Sequence, residues 1–319
     1  MSFFENLRMI INFMPKTCII AFDIGATKIH AGLVNETGKI LTRIKIPTEA
    51  KKVKAIILKN IFKAINTLLI EAEKRELKPR AIGLGIAGQV NYAKGIFMGG
   101  PNFSPSFRRI NLKNIIKKKY RLNIFLDNDA RLFTLGEAYF GAGRNYKNII
   151  GLTLGTGIGG GLIINKKLYR GLDNIAGEFG HMIVSLDNWY ACSQFSYGEA
   201  LASGSAMTRM YRELTGKNID ALELEIKIKA HEQTAKKVLA VATLNLSYIL
   251  ANLVNIINPE IIILGGGLIR FTDYWQPAIK ASRELNPFAL PLKTKIIRAK
   301  LGDDANLLGA YLLVKNLSV

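Results

Sequence analysis

Short apolar runs alternate with longer stretches of helical periodicity along most of the chain. Runs such as residues 18–23 have the length and content of buried strands, whereas residues 55–74 repeat apolar positions at helical spacing. Strands are predicted at 18–23, 29–34, 40–46, 81–86, 123–126, 148–154, 162–165, 260–264 and 294–299, and helices at 55–74, 111–120, 130–140, 199–214, 232–257 and 304–314. This alternation indicates an α/β fold.

One local arrangement occurs twice: a strand ends in a glycine-rich turn and a second strand follows it. The first glycine turn covers residues 23–28, and the second glycine turn covers residues 155–161. This repetition predicts two α/β domains of related design with a cleft between them, a common place for a ligand.

The composition indicates a folded, non-membrane protein. Of the 319 residues, 49% are hydrophobic and 21% are charged, which is ordinary for a globular enzyme. The most apolar stretch, residues 149–164, is rich in glycine and predicts strand, turn and strand rather than a membrane span. Charged residues Glu5 and Arg8 interrupt the apolar N-terminus, and no cleavage site follows. A short N-terminal extension is therefore expected instead of a signal peptide.

The net charge of +20 has two interpretations. Lysine clusters at residues 51–54 and 117–119 could contact nucleic acid, or they could be solvated helix faces. No basic motif with interspersed aromatic residues and no basic tail accompanies them, so we expect no nucleic-acid partner. The charge does suit anionic substrates such as nucleotide phosphates. The two cysteines, Cys18 and Cys192, are too few for a disulfide framework and indicate a cytoplasmic protein.

The first glycine turn reads Asp23-Ile24-Gly25-Ala26-Thr27-Lys28. A strand ends at a carboxylate here, and the chain turns through glycine to a hydroxyl group and a cation. Backbone N–H groups in such a turn can approach a phosphate closely, and Thr27 and Lys28 add donors. Asp23 could hold Mg²⁺ directly or through water. The turn therefore predicts a phosphate site with an adjacent metal position.

The second glycine turn, Gly155-Thr156-Gly157-Ile158-Gly159-Gly160-Gly161, offers a similar phosphate cradle. A single turn of this kind is explained equally well by an ordinary hairpin, but two such turns favour nucleotide binding. Neither turn fits the P-loop pattern, and neither opens a helix as a dinucleotide-binding motif does.

The segment Leu126-Asp127-Asn128-Asp129-Ala130 joins a predicted strand to a predicted helix. One of its polar residues is expected to cap the helix. A cap needs only one such residue, and three are present. A carboxylate at a strand end can also take a proton from an attacking hydroxyl group. The residues alone leave the cap and the general base equally open for Asp129.

A further polar set follows the second glycine turn. His181 comes three residues after Glu178 in a glycine-flanked segment, and Glu199 begins a predicted helix. An isolated histidine is more often structural than functional. Carboxylate and imidazole groups together can nevertheless accept and donate hydrogen bonds to vicinal hydroxyl groups. The set predicts a site for a ligand rich in hydroxyl groups, such as a sugar.

The order of the motifs DIGATK, GIAGQV, NDA, LGTGIGGG, AGEFGH, E-x-x-x-SG and LGGG closely resembles the ROK family of sugar kinases. The resemblance runs from about Cys18 to the C-terminus and implies the actin-like ATPase (ribonuclease H-like) fold. It implies an N-terminal α/β domain of residues 18–129 plus 304–319, a C-terminal α/β domain of residues 130–303, and an extension of residues 1–17. A homodimer is expected by the same analogy.

The resemblance also implies a role for each matching residue. ATP and Mg²⁺ would be used, Asp23 would face the Mg²⁺, and Asp129 would be the general base. The implied nucleotide contacts are Asp23, Gly25, Ala26, Thr27, Lys28, Gly155, Thr156, Gly157, Gly265 and Gly266. The implied sugar contacts are Gly88, Asn102, Asn128, Asp129, Glu178, His181 and Glu199.

The chain departs from the family pattern at its zinc site. Proteins of the family commonly carry C-x-C-G-x-x-G-C just before the glutamate that matches Glu199, and these cysteines bind zinc with the histidine that matches His181. Residues 190–197 occupy those positions here, and Cys192 is their only cysteine. Two ligands cannot make a closed four-ligand site, so we predict no zinc. Aromatic packing by Trp189, Tyr190, Phe195 and Tyr197 is predicted to replace the metal.

The function expected from these features is ATP-dependent phosphorylation of a hexose 6-hydroxyl group, with glucose as the first candidate. N-acetylmannosamine, N-acetylglucosamine and fructose remain alternatives, because Ala87 and Gln89 replace prolines that are frequent near the sugar in bacterial glucokinases. A sugar-binding pseudokinase and a ROK-type transcriptional regulator are further alternatives. Only 22 residues precede Asp23, which predicts that the regulator's winged helix-turn-helix is absent.

Overall fold

The computed structural model describes residues 16–185, 197–287 and 292–315. The strands are β1 (Lys16–Ile24), β2 (Lys28–Asn35), β3 (Ile40–Pro47), β4 (Leu77–Ile86), β5 (Gln89–Asn91), β6 (Ile96–Gly99), β7 (Asn123–Asn128), β8 (Ile149–Leu154), β9 (Ile158–Ile164), β10 (Lys167–Tyr169), β11 (Ile261–Gly265) and β12 (Lys295–Arg298). The helices are α1 (Lys54–Lys74), α2 (Leu112–Tyr120), α3 (Asp129–Phe140), α4 (Gly198–Ala202), α5 (Gly204–Thr215), α6 (Ala221–Lys229), α7 (Gln233–Ile257), α8 (Thr272–Glu284) and α9 (Asp304–Lys315).

The chain forms two compact units, and the division falls within α3. The first unit contains the residues up to Gly136 together with those from Asp303 onward, and the second contains Glu137–Gly302. The first sheet has the order β3-β2-β1-β4-β7, and the second has the order β10-β9-β8-β11-β12. In each sheet the first three strands in sequence are antiparallel, and the two later strands run parallel to the first of them. The two units therefore share one topology.

The first unit is built around a sheet with a helix on each face. Helix α1 buries Ile57, Ile61 and Ile65, which recur every four residues and so lie on one side of the helix. Helix α9, from the end of the chain, packs against β1, β4 and β2. Its backbone comes so close to β4 that a Cβ atom on Gly83 would lie 2.2 Å from the carbonyl oxygen of Ala310. The last helix is thus part of the core of the first unit.

Helix α7 is the central helix of the second unit. The helix has 25 residues and its most apolar window has a mean hydropathy of 1.6, so by length and composition alone it could cross a membrane. Half of its most apolar window is buried inside the unit, where Leu246, Ile249 and Leu250 join the hydrophobic core. A single helix of this kind is equally typical of the core of a soluble protein, and it is weak support for a membrane span.

Two predicted elements differ from the structure in a way that affects the site. Strand β9 begins at Ile158, so the second glycine turn is only Gly155–Gly157 and the later glycines are in the strand. The ring of Phe179 packs over Gly160, where a Cβ atom would lie 2.4 Å from the ring. The predicted helix at 199–214 is two helices, because Ser203 has an extended backbone and its hydroxyl group accepts a hydrogen bond from the N–H of Ala206.

Helix α6 has no counterpart among the predicted elements. Its sequence ALELEIKIK alternates apolar and charged residues, a pattern typical of a strand. The Asp220 side chain caps the helix, Leu224 and Ile228 are buried one turn apart, and Glu225 pairs with Lys229. Tertiary burial at a spacing of four therefore overrides the local alternation. Strands β5, β6 and β10 and helix α8 were likewise not predicted.

Candidate active site

The first glycine turn joins β1 to β2 and is closed by its own backbone. The N–H of Gly25 donates to the carbonyl of Lys28 at 3.1 Å. Thr48 holds the turn from outside, because its hydroxyl group donates to the carbonyl of Gly25 at 2.7 Å and its N–H donates to that of Thr27 at 3.0 Å. Thr27 and Lys28 are exposed and Ala26 is half-buried. The turn is therefore fixed by hydrogen bonds, and the side chains of Thr27 and Lys28 are exposed at its surface.

Asp23 is partly buried just before this turn and lies near a second carboxylate. Burial and the neighbouring Asp129 raise the pKa of Asp23 to about 7, although Asn306 donates a hydrogen bond to it and Lys28 lies nearby. Two carboxylates in a site withdrawn from water favour a bound cation, since each would be stabilised by it. The donor set therefore fits Mg²⁺, which prefers a few carboxylate oxygens and keeps much of its water.

Lys28 makes an ion pair at the surface of the first unit. Its Nζ lies 3.0 Å from Oδ2 of Asp303, and the Nζ of Lys45 lies 3.0 Å from the same oxygen. Hydrogen bonds from Lys45 and Lys28 lower the pKa of Asp303. All three side chains are about half exposed, and exposed pairs of this kind contribute little free energy. Lys28 can therefore exchange Asp303 for a phosphate at small cost.

Asn128 and Asp129 lie where β7 runs directly into α3. The Asn128 Oδ1 accepts a hydrogen bond from the N–H of Arg131 at 3.2 Å, which is the geometry of a helix cap. Its Nδ2 donates to the Asp129 Oδ1 at 3.0 Å and to the Gly88 carbonyl at 3.1 Å. Asn128 therefore caps the helix. The Asp129 carboxylate is oriented by Asn128 and is not needed as the cap.

Gly88 and Asn102 belong to the same unit. Gly88 has a φ of +131°, and a Cβ atom there would lie 2.5 Å from the carbonyl oxygen of Gly99, so a larger residue would be strained. Asn102 is half-buried in the loop after β6, next to Phe103, whose ring stacks on Phe107. Of the predicted sugar contacts in this unit, the structure joins Gly88, Asn128 and Asp129 by hydrogen bonds.

In the second unit, the second glycine turn is tied to the start of α5. The N–H of Gly155 donates to the carbonyl of Gly157 at 3.0 Å. The N–H of Gly204 donates to the Gly155 carbonyl at 2.8 Å, and that of Ser205 donates to the Thr156 carbonyl at 3.2 Å. The break in the predicted helix at Ser203 thus makes these N–H groups available to the turn.

Gly265 is the last residue of β11, and Gly266 follows it beside this turn. Gly266 has a φ of +86°, and a Cβ atom there would lie 2.3 Å from the carbonyl oxygen of Leu154, the last residue of β8. Only glycine fits such a conformation and such a contact without strain. The ends of β8 and β11 therefore approach each other closely at Gly266, where a side chain would not fit.

Glu199 and His181, two of the predicted sugar residues of the second unit, each lie close to a polar neighbour. Oε2 of Glu199 accepts a hydrogen bond from the N–H of Ile158 at 2.8 Å, so Glu199 is held against the second glycine turn. The Nδ1 of His181 lies 3.6 Å from the Oε2 of Glu178, and the His181 side chain is 56% exposed. These side chains present carboxylate and imidazole groups that could bind hydroxyl groups.

Several residues that support the site were not identified from the sequence. Arg131 pairs with Asp127 beneath Asn128, Asn306 bonds to Asp23, and Ser205 holds the second glycine turn. The spacing of four residues was no signal for the first pair, because Asp127 lies in β7 and Arg131 lies in α3. The Asn306 contact joins positions far apart in sequence, and no local pattern indicates it.

A zinc site would need several His, Cys, Asp or Glu side chains close together. Among the residues that the structure describes, no group of three or more His, Cys, Asp and Glu side chains is arranged to hold a metal ion. Trp189, Tyr190, Cys192 and Phe195, on which the sequence prediction depended, lie outside the described residues. Tyr197 is described, and its ring lies against that of His181.

The chain is similar in sequence to proteins of a known family. The model of the ROK family matches residues 19–317. The glucokinase of Thermotoga maritima is 32% identical to the chain, in an alignment that covers 95% of this chain and 98% of the relative. The N-acetyl-D-glucosamine kinase of Salmonella paratyphi B is 30% identical, over 92% of this chain and 97% of the relative. The family resemblance noted in the sequence is confirmed.

A solved structure extends the comparison to the fold. A ROK family glucokinase from Streptomyces griseus, in complex with glucose and AMPPNP, superimposes with a TM-score of 0.78 and 29% identity, covering 94% of this chain and 99% of that one. The predicted fold class, an α/β protein with the actin-like ATPase fold, is confirmed by this likeness.

Proposed function

The chain belongs to the ROK family, and from this premise we propose that it is an ATP-dependent kinase that phosphorylates the 6-hydroxyl group of glucose. The observation that carries the proposal is the position of Asp129. Its carboxylate begins α3 and is held by Asn128, which already supplies the helix cap. A carboxylate that is oriented in this way suits a general base.

In the proposed reaction, Asp129 accepts the proton of the sugar hydroxyl group. The hydroxyl oxygen forms a bond to the γ-phosphorus of ATP, and the bond from that phosphorus to the β,γ-bridging oxygen breaks. ADP leaves with the electron pair. Phosphoryl transfer needs positioning and charge stabilisation more than covalent chemistry, so fixed backbone donors and one base are sufficient parts for the protein to supply.

The nucleotide is proposed to bind the two glycine turns. In the first turn the donors are the backbone and side chains of Gly25, Ala26, Thr27 and Lys28, and in the second they are the backbone groups of Gly155, Thr156 and Gly157. Gly265 and Gly266 are proposed to lie against the adenosine. When bound, Mg²⁺ would neutralise phosphate charge, and Asp23 is the residue that would hold it.

The sugar is proposed to contact Gly88, Asn102, Asn128 and Asp129 from the first unit and Glu178, His181 and Glu199 from the second. Carboxylate, amide and imidazole groups match a ring that carries a hydroxyl group on most carbons. A relative named N-acetyl-D-glucosamine kinase supports one alternative substrate class, the N-acetylhexosamines.

A coupled ADP-release assay over a panel of sugars tests the proposal. The panel contains glucose, mannose, fructose, N-acetylglucosamine and N-acetylmannosamine, each with ATP and Mg²⁺. We expect the highest kcat/KM for glucose. A higher value for an N-acetylhexosamine would replace glucose with that class. Sugar binding by calorimetry without turnover on any sugar would refute the kinase and favour a pseudokinase or a regulator.

We also propose that the protein works as a cytoplasmic homodimer. The buried, unpaired thiol of Cys18, whose pKa burial raises to about 11, suits a reducing compartment. Light scattering after gel filtration tests the dimer, which a mass near 35.3 kDa, that of one chain, would contradict. Fractionation of the source cells tests the location.

A further inference from the structure

The rings of Tyr197 and His181 are in contact within the second unit. Their centroids lie 5.7 Å apart with an angle of 67° between the planes, which is an edge-to-face pair. Aromatic rings prefer this arrangement at separations of about 4.5 to 7 Å. His181 ends the short 3₁₀ turn at Phe179–His181, and Tyr197 immediately precedes α4. Two segments that are 16 positions apart in the sequence thus meet through these side chains.

The backbone reinforces this meeting. The N–H of Gly198 donates to the carbonyl of Met182 at 2.8 Å, and Ile183 and Tyr197 form an isolated β-bridge. A Cβ atom on Gly198 would lie 2.7 Å from the side chain of Ile249, so this position is packed tightly against α7. Tyr197 therefore stands on a fixed backbone and can hold a neighbour in place.

In the described part of the chain, the His181 side chain has one long polar contact besides the ring of Tyr197. The His181 side chain is 56% exposed, and its Nδ1 lies 3.6 Å from Glu178, which is an ion-pair distance but too long for a hydrogen bond. Glu199, two residues after Tyr197, bonds to the N–H of Ile158. In residues 197–199, Tyr197 thus contacts His181, and Glu199 contacts Ile158, the residue of β9 that follows the second glycine turn.

The donor atoms of this segment do not fit the zinc ion that the family resemblance implies. Tyr197 stands at the last cysteine position of the family motif, and it presents a ring to His181 instead of a thiolate. The chain has two cysteines, and Cys18 lies in β1 in the first unit. A Cys₃His zinc site therefore cannot be assembled within the chain.

We propose that Tyr197 is a positioning residue that orients the His181 imidazole for the sugar by ring packing, in place of zinc ligation. The inference rests on the proposed function, in which His181 contacts the sugar. Because the ring pair is a local contact, its loss affects sugar binding and leaves the nucleotide turns in place.

Kinetics of three variants test this role. Tyr197→Leu removes the ring, Tyr197→Phe keeps it, and Tyr169→Leu removes an exposed tyrosine of the same unit as a matched control. For Tyr197→Leu we expect a sugar KM raised about three- to tenfold, with the KM for ATP changed less than twofold. Tyr197→Phe should restore the sugar KM to within about twofold, and Tyr169→Leu should leave it unchanged. An unchanged sugar KM in Tyr197→Leu would overturn the proposal.

A double-mutant cycle shows whether Tyr197 acts through His181. In a His181→Ala background, Tyr197→Leu should have no further effect on sugar affinity measured by calorimetry. Independent, multiplying effects would refute the coupling. Thermal unfolding of each variant identifies a global loss of folding. If Tyr197→Leu does not fold, the ring-current shift of the His181 protons in the wild type and in Tyr197→Phe decides the question, and its absence from both would refute the ring contact.

Two readouts do not depend on activity. In the NMR spectrum, the imidazole protons of His181 should lose their ring-current shift in Tyr197→Leu and keep it in Tyr197→Phe. Metal analysis of protein purified without added zinc should find well under one zinc per chain, and a stoichiometric amount would overturn the replacement. If the wild-type protein phosphorylates no sugar, the proposed function fails, while the ring pair and the absence of zinc are still decided by these measurements.

Discussion

Arg131 and Asp127 form an ion pair of 3.2 Å in which the two side chains are 2% and 0% exposed. The pair lies directly beneath the residues proposed for catalysis. Asp127 also accepts a hydrogen bond from the N–H of Asn128 at 2.8 Å. The Asn128 side chain caps the helix by accepting a hydrogen bond from the N–H of Arg131. Asn128 in turn contacts Asp129. A chain of contacts through Asn128 thus connects the proposed base, Asp129, to a buried ion pair.

Breaking this pair from one side should destabilise the fold strongly. Arg131→Met removes the guanidinium group from beside the buried Asp127 carboxylate, and we expect a loss of about 3 to 5 kcal/mol in the free energy of unfolding. The double variant Asp127→Leu/Arg131→Met should lose less than Arg131→Met alone, because no charge remains buried. Urea unfolding measures both.

The pair between Glu71 and Arg75 is the matched control. It has the same spacing of four residues, but its side chains are 26% and 43% exposed. Arg75→Met should therefore cost less than about 1 kcal/mol. Equal losses for Arg131→Met and Arg75→Met would show that burial does not govern the Asp127 pair.

Asp129→Asn should separate catalysis from binding. The amide cannot accept the hydroxyl proton, so we expect kcat to fall by about 10² to 10⁴ while the dissociation constant of the sugar changes only a few-fold. Steady-state kinetics and calorimetry measure the two quantities. Asp273→Asn, an exposed acidic residue in the first turn of α8, is the control and should retain full activity. Near-normal turnover of Asp129→Asn would rule out this base.

The ligand-free protein should become less stable as the pH rises from about 4 to 7. Burial and Asp129 raise the pKa of Asp23 to about 7 in the folded protein, whereas the unfolded chain titrates near 3.9. Within this window the folded state holds a proton that the unfolded state has lost, so stability is greatest at low pH and is lost as the pH approaches 7.

Asp23→Asn removes this titration. The variant should be more stable than the wild type at pH 8, by up to about 4 kcal/mol, and the difference should vanish near pH 4. Urea unfolding at pH 4, 6 and 8 measures it. A difference that is independent of pH would contradict the raised pKa. The same substitution should weaken Mg²⁺-dependent turnover.

Two adjacent glycines should respond very differently to alanine. Gly266 has a positive φ and would place a Cβ atom 2.3 Å from the Leu154 carbonyl oxygen, whereas nothing lies within 4 Å of a Cβ atom at Gly267. We expect Gly266→Ala to cost about 2 kcal/mol or more and to raise the KM for ATP. Gly267→Ala should stay within about 0.5 kcal/mol of the wild type. Similar thermal shifts for both variants would contradict this geometry.

The buried Glu137 carboxylate should be essential for the second unit. It accepts hydrogen bonds from the N–H groups of Ala142, Lys300 and Leu301 at 2.7 to 2.9 Å. Glu137→Gln replaces one oxygen with a donor and removes the charge, so we expect a loss of about 2 to 4 kcal/mol. The control Glu213→Gln changes a more exposed carboxylate and should be nearly neutral. Thermal unfolding compares the two.

The sequence alone determined the elements whose signals are local. Apolar periodicity predicted β1 and α1 within two residues of their ends, because periodicity depends on which side of each element is buried. The glycine turns and the segment at Asp129 were also evident, since each consists of neighbouring residues. No element was predicted at α6, where burial at a spacing of four decides the helix.

The roles of Asn128 and Asp129 at the end of β7 could be told apart only from the folded structure. From the sequence, Asp129 was equally a helix cap or a base. The structure assigns the cap to Asn128 through its contact with the N–H of Arg131, and it adds the buried partner Asp127. These roles depend on side-chain directions and burial, which a residue pattern does not contain.

Contacts between segments far apart in the chain likewise could not be predicted from the sequence. Asn306 reaches Asp23 because α9 packs on β1, and the ring of Tyr197 reaches His181 because backbone bonds join their segments. The sequence identified Tyr197 as one of four aromatic candidates to replace the metal. Only folding could select its partner, since a contact between residues far apart in the chain is determined by how whole elements pack and not by the residues beside it.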